Sequence, residues 1–347
     1  MPFTLSHAAA VLPALHRTGA ARGPLVASAL VAGSFAPDMP YFADTLVPGA
    51  MLFGTFTHSP IGVLTVDVLI TAGLVAGWLL LREPLLALLP RPWQGRAYAL
   101  ARGRPWDPRG PLELAALAGW FCLSAILGST THIVWDAFTH PGRWGTRLVG
   151  VLEATVNGLP VYTYVQYGTS ALAMVAIGWF LWSALRTKEA GATGRTGPAI
   201  AGGSSVVAAP GAGEDSARAA GWAPPEAVPL LTLRQKLLLT ALLTLCLLGS
   251  AAHRTVRAHA VYGSAATWFD YIPTVLFGAG AGLALALPVH AVAVRLLHRR
   301  ARRVRPSTEP APGLVEREVG AERDTGMERD SRAEREPAPG ADSVAGR

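Results

Sequence analysis

His132, Asp136 and His140 stand four residues apart in the stretch THIVWDAFTH, where a long apolar run ends. A helix turns once per 3.6 residues, so continuous helix places all three side chains on one face, within reach of a single ion or proton. Polar atoms at that point of an apolar helix need partners. The same side of the chain supplies more groups of this kind: His7 in FTLSHAA, Asp38 between prolines in APDMP, and His58 in FGTFTHSP, flanked by Thr57 and Ser59. Imidazole and carboxylate suit zinc, manganese or iron, and the residue types alone do not choose among these, although zinc leads. The set exceeds what one tetrahedral site requires, so one or two divalent ions fit the count. Metal ions in such a set lower the pKa of a bound water and stabilise charge on an attacked phosphate or carbonyl, so hydrolysis is the natural chemistry, with Asp38 or Asp136 orienting the water or acting as base.

Each residue also has a plainer reading. A single histidine at a membrane edge is satisfied by solvent or backbone, Asp38 suits a turn, and His140 before Pro141 suits a solvated helix end. Asp67 lies inside an apolar run and pairs with a neighbouring helix or joins a polar path. Arg143, Arg147, Arg254 and Arg257 are ordinary surface charge or phosphate contacts, and His253 and His259 flank Arg254 and Arg257 in an outer loop that can cap the site.

The elements that must position these residues are helices crossing a bilayer. Of 347 residues, 51% are hydrophobic and 15% charged, which indicates an all-α integral membrane protein. Spanning the hydrocarbon layer takes roughly 20 apolar residues. Five runs qualify or nearly so: 61–81, about 111–131, 169–186, the shorter 237–252, and 272–297. The stretch 24–36 is too short to cross and is expected to re-enter or lie in the interface. The expected fold is a polytopic transmembrane helical bundle of about five spans plus that short N-terminal helix. Cys122 and Cys246 stand singly in apolar runs and read as buried small hydrophobes, with neither a redox pair nor a zinc knuckle indicated. Glycines at Gly73/Gly77 and Gly278/Gly282 permit close helix contact within the bundle.

Lys and Arg divide unevenly between segments: six in 82–112, six in 186–236 and twelve in 295–347, against two each in 1–60, 132–168 and 253–271. Five alternating spans place the rich segments on one side without exception, so the C-terminus is expected inside and the His/Asp cluster outside, in a plasma membrane. Arg17 and Arg22 follow the N-terminal apolar patch, the wrong order for a secretory signal, so His7 is kept in the mature chain. The domain reading is 1–186 as the membrane domain with the cluster, 187–236 as a disordered cytoplasmic linker, 237–298 as two further helices and 299–347 as a disordered charged tail. Membrane lipid is the expected partner, the cluster Arg295 to Arg305 meeting anionic head groups or serving as a stop-transfer anchor. Nothing points to nucleic acid. Aromatics such as Tyr41, Phe42, Phe53 and Phe56 suit the interface.

The segments MPFTLSHAAAVLP, GSFAPDMPYF, FTHSPIGVLTVD and STTHIVWDAFTHPG, in this order, resemble the DUF4184 family of bacterial membrane proteins, well over residues 1–185 and by layout beyond. Similar motifs mark the inner-membrane metal-dependent hydrolases, and the ligand order is similar to that of zinc-dependent phospholipase C. The resemblance implies metal-ligand positions at His7, Asp38, His58, His132 and Asp136, with Asp136 bridging. The phospholipase pattern continues with a His-x-x-x-Glu pair that nothing after His140 supplies, so it implies one or two ions rather than three. Two classes of function follow: a hydrolase of a phosphoester or lipid-like substrate, or a non-catalytic membrane protein whose cluster is structural or binds an ion without chemistry. A proton-relaying transporter is a third, weaker reading, because the spans other than the first offer almost no polar groups.

Overall fold

Pro141 fixes where the longest membrane-facing element of the site must stop. In the computed structural model, which describes residues 3–104, 106–186, 227–263 and 268–304, the helix Pro111–Thr139 ends one residue before His140, whose backbone is extended (φ −128°, ψ 145°). A proline disfavours helical geometry in the residue before it. His140 is therefore a cap, off the helical face expected for it, while His132 and Asp136 remain on that face. At the other end Pro111 takes the first helical position and Glu113 the first turn, both favourable to a helix start.

The described residues are mostly helical. In order it forms a 3₁₀ segment Thr4–Ala14, α1 (Ala27–Gly33), α2 (Met39–Ala43), α3 (Gly54–Thr57), α4 (Pro60–Leu64), α5 (Val66–Leu86), α6 (Arg91–Arg102), α7 (Pro111–Thr139), α8 (Trp144–Leu148), a two-residue hairpin of β1 (Thr155–Val156) and β2 (Leu159–Pro160), α9 (Val161–Arg186), α10 (Leu233–Tyr262) and α11 (Trp268–Val304). Among the described residues, five helices are long and apolar enough to cross a membrane: Val66–Leu86, Pro111–Thr139, Val161–Arg186, Leu233–Val261 and Trp268–Ala301. Many of their apolar side chains, among them Leu69, Leu172, Val175 and Leu245, are exposed in the isolated chain. That is what helices bathed in hydrocarbon present, and it marks a multi-pass membrane protein.

The spans match the five apolar runs but differ at their ends. The first apolar run, 61–81, is split at Thr65 (φ −125°, ψ −84°), which divides α4 from α5. Span α9 begins at Val161 and takes in Tyr162, Tyr164 and Tyr167. Helix α10 opens on a capping box in which Thr232 and Gln235 satisfy each other's backbone N–H groups, and it runs through His253, Arg254, Arg257 and His259. Those four residues are thus helical, where a loop capping the site was expected.

Residues 24–36 do not cross. They form the short α1, which packs backbone to backbone on α7 through small residues. A Cβ added at Gly128 would lie 2.3 Å from the Leu30 carbonyl oxygen, and one at Gly33 2.5 Å from that of Ala125. Ser129 Oγ donates to the Gly33 carbonyl at 3.0 Å, and Ser124 Oγ accepts from the Val26 N–H at 2.9 Å. Such contacts supply cohesion where neighbouring lipid is as apolar as the helices. Gly278 and Gly282 likewise let α11 approach α10 near Ala251, Ser250 and Cys246, whereas a Cβ at Gly73 or Gly77 would meet nothing among the described residues within 4 Å, so the close contact expected there is not seen among them.

The described residues up to His298 make one compact unit. Of the expected linker, residues 187–226 lie outside the described residues, while Val228 and Leu231 are buried in a core with Leu86, Ala87, Leu239 and Val294. The expected tail lies outside the described residues beyond Val304. Cys122 is exposed on α7 and Cys246 half-buried, so Cys122 is no core residue.

Candidate metal centre

Four donor atoms converge where α7 meets the chain around α1 to α4. One ligand atom from each of Asp38, His58, His132 and Asp136 lies within 4.8 Å of all the others, and all four residues are buried. The local folds that deliver them are short. Asp38 closes a single 3₁₀ turn, Ala36–Asp38, set by Pro37. His58 caps α3 at a corner that Ser59 and Pro60 turn into α4, where Ser59 Oγ accepts from the Gly62 N–H at 3.0 Å. Thr57 Oγ1 donates to the Pro37 carbonyl at 2.7 Å, which locks the His58 corner against the Asp38 turn.

The ring nitrogens are assigned by their partners. His132 Nδ1 lies 2.7 Å from the Ser34 carbonyl and His58 Nδ1 2.8 Å from that of Gly54, so each Nδ1 carries the proton and donates it. Both Nε2 atoms then point a lone pair at the centre. Backbone carbonyls hold metal-ligating histidines in this way. Thr4 Oγ1 donates to Asp38 Oδ2 at 2.6 Å, leaving Oδ1 for the centre.

The inner distances are compatible with an ion site. Asp38 Oδ1 lies 3.5 Å from His132 Nε2 and 3.8 Å from His58 Nε2, and Asp136 Oδ2 lies 3.4 and 3.5 Å from the same two atoms. Direct N–H···O bonds fall at about 2.7–3.2 Å. Four donors arranged tetrahedrally at about 2.0–2.2 Å from a zinc ion stand about 3.3–3.6 Å apart. Asp38 Oδ1 and His132 Nε2 have no hydrogen-bond partner though fully enclosed. With an ion bound, both imidazoles would be neutral, and the two carboxylates would carry the charge that one divalent cation cancels. The residues fit a metal ion.

His7 and His140 approach the other oxygen of Asp136. His7 Nε2 is 3.5 Å and His140 Nδ1 3.6 Å from Asp136 Oδ1. The His7 ring stacks on that of His132, centroids 3.8 Å apart. Burial and then the neighbouring His132 hold the His7 imidazole well below its ordinary pKa. His140 Nε2 lies 2.9 Å from Gln166 Nε2 and accepts from it, so its Nδ1 carries the proton toward Thr139 Oγ1 and the Asp136 carbonyl. Burial lowers His140 to about 4. Burial acts to raise the Asp38 carboxyl, but its interaction with His132 prevails and holds it well below the usual carboxylate range. Tyr41, whose ring meets that of His58 edge-on, is raised by burial and by the Asp38 charge.

The other expected candidates stand apart. Asp67, in the first turn of α5, is fully buried and neither carboxylate oxygen has a hydrogen-bond partner. Arg254 binds the Tyr41 carbonyl, Thr45 and Asp44 and so fastens α2 to α10. His259 meets the Tyr271 hydroxyl, and His253, Arg257 and Arg147 are exposed. Arg143 does reach the site, lining with His58 and Asp136 a cavity of about 350 Å³ whose walls include Val63, Ile133 and Val134. Thr4, Ser34, Gly54 and Tyr41 are the supporting residues that spacing did not mark. Thr4 and His7 share a face only because residues three apart eclipse in a 3₁₀ helix.

Comparison with curated proteins and with solved structures gives no match. The description "Domain of unknown function (DUF4184)" matches over residues 1–292, a stretch that holds all five spans up to the last turns of α11 and every residue of the cluster, and the chain belongs to the DUF4184 family.

Proposed function

We propose that this chain is a metal-dependent hydrolase of a phosphoester or lipid-like substrate, working at the extracytoplasmic interface of a bacterial plasma membrane. The observation that carries the reading is the convergence of Asp38, His58, His132 and Asp136 at ion-type separations, with both Nδ1 atoms tied to carbonyls, beside a cavity that His58 and Asp136 themselves line. A divalent ion held there, zinc foremost, supplies a coordinated water of lowered pKa and an electrophile for the attacked group.

The chain's own groups do the rest. Thr4 and the Ser34 and Gly54 carbonyls fix the donors. Asp136 Oδ1, facing His7 and His140, is placed to take a proton, with Asp38 the alternative base. His7, neutral and stacked on His132, is available as a further ligand or a proton acceptor, and Gln166 orients His140. The position of His132 and Asp136 in the last two turns of α7 supports chemistry at the end of a span, where hydrocarbon would give way to head groups.

One observation favours a second reading. Four protein donors close a tetrahedral site, and closed zinc sites are structural. In that case the ion ties α1, α3 and α7 together without chemistry. Elemental analysis of detergent-purified protein, followed by hydrolysis assays on phosphoesters, separates the two: metal with turnover supports the hydrolase, stoichiometric metal without turnover supports the structural ion, and no metal after reconstitution with zinc, manganese or iron overturns both.

A further inference from the structure

We propose that the cavity beside the four donors is the seat of a membrane lipid with a phosphate-bearing head group, its hydrocarbon chain lying between α4 and α7 and its phosphate on Arg143. The proposal rests on the hydrolase reading only for what happens next to that lipid.

Three observations support this occupant. The walls are apolar, drawn from Val63 and Leu64 on α4 and from Ile126, Ile133 and Val134 on α7, while the polar atoms gather at one end with His58, Asp136 and Arg143. That division matches an amphiphile with one charged end. The rim residues Pro60, Leu64, Thr130 and Val134 are exposed, and Thr130 and Val134 lie within the span Pro111–Thr139. Val134 is five residues from the end of α7, about 8 Å of helix, so the opening lies beside the apolar part of that span near its end, where a lipid can reach it. A volume of about 350 Å³ is at the low end of ligand pockets, room for one chain while the remainder of the lipid stays in the bilayer.

Charge completes the match. An ion among Asp38, His58, His132 and Asp136 cancels both carboxylates and leaves Arg143 as the uncompensated charge of the cavity. Arg143 is half-buried, and no described residue forms an ion pair with its guanidinium. Its planar five-donor fork suits a phosphate, which it can hold through two parallel bonds.

The test is photolabelling of the full chain in phosphatidylcholine vesicles by phosphatidic acid carrying a diazirine in one acyl chain. The adducts are expected on peptides containing Pro60–Leu64 and Ile126–Val134. Arg143→Gln and Val134→Trp each lower labelling about tenfold, with Arg143→Lys between, and thermal unfolding confirms that each variant is folded. Unlabelled phosphatidic acid competes, and diacylglycerol and inorganic phosphate do not. Labelling scattered over other spans, labelling indifferent to Arg143→Gln and Val134→Trp, or equal competition by inorganic phosphate overturns the proposal. Hydrolysis of phosphoesters is scored separately. Site-specific labelling without turnover keeps the lipid site and removes the hydrolase, whereas turnover of a soluble phosphoester without such labelling does the reverse.

Discussion

Thr4 Oγ1 donates to Asp38 Oδ2 at 2.6 Å across thirty-four residues of sequence, and this contact decides which Asp38 oxygen faces the centre. Partners behind a ligand typically account for 10- to 100-fold of metal affinity. Thr4→Val is therefore expected to weaken zinc binding by about 10- to 100-fold while leaving helical content unchanged, and Thr4→Ser to restore it. Competition with a chromophoric chelator measures this. Equal affinity in the valine variant would remove Thr4 from the site.

The donors themselves should behave as one set. Asp38→Asn, His58→Ala, His132→Ala and Asp136→Asn are each expected to abolish stoichiometric metal in elemental analysis, whereas His140→Gln reduces occupancy without abolishing it, because Gln166 already engages the ring. Complete loss in His140→Gln would make His140 a ligand.

The approach of α1 to α7 gives a prediction about stability. Gly128→Leu forces a side chain into a contact where even a Cβ falls 2.3 Å from a carbonyl oxygen, and overpacking of this kind costs about 1–3 kcal/mol or more. Because the same contact holds Ser34 against His132, metal affinity should fall with stability. Gly73→Ala and Gly77→Ala, which meet open space, are expected to leave both unchanged. Thermal unfolding in detergent and metal titration distinguish the pairs.

Asp67 offers the opposite sign. A buried carboxyl without hydrogen-bond partners is costly, so Asp67→Asn is expected to leave metal content intact and to stabilise the protein by about 1 kcal/mol or more. A marked loss of stability in this variant, seen in the same unfolding assay, would mean that Asp67 holds a partner in the working protein.

Arg254 joins α10 to α2 by hydrogen bonds to a backbone carbonyl and two side chains. Arg254→Lys cannot reproduce that fork. Hydrogen exchange of residues 39–46 is expected to quicken in Arg254→Ala and in Arg254→Lys alike. Exchange at the wild-type rate in the lysine variant would assign the contact to charge alone.

Much of this was legible beforehand because membrane spans announce themselves through length and hydropathy, and because His132 and Asp136 sit at a spacing that only helix makes meaningful. The limits were local. Apolar runs carry no mark for a break such as Thr65, nor for polar ends such as His253 to His259 that continue a helix beyond the bilayer. Pro141 was visible, yet its effect on His140 requires following the backbone one residue back. The supporting atoms were hidden for a simpler reason: the Ser34 and Gly54 carbonyls are backbone, which carries no residue type, and Tyr41 joins the site only through its packing on His58.

The half-length helix α1 has a consequence for parity. Since Ala27–Gly33 packs on α7 and is too short to span, no described helix before α5 is long enough to cross, and residues Phe3 to Thr65 are expected on one face of a membrane. A reporter fused before Thr4 and a cysteine label at Met51 should answer to reagents from the same compartment. On that reading α5 and α7 make two traverses in opposite directions, and His132 and Asp136 return on α7 to the face where His7, Asp38 and His58 lie.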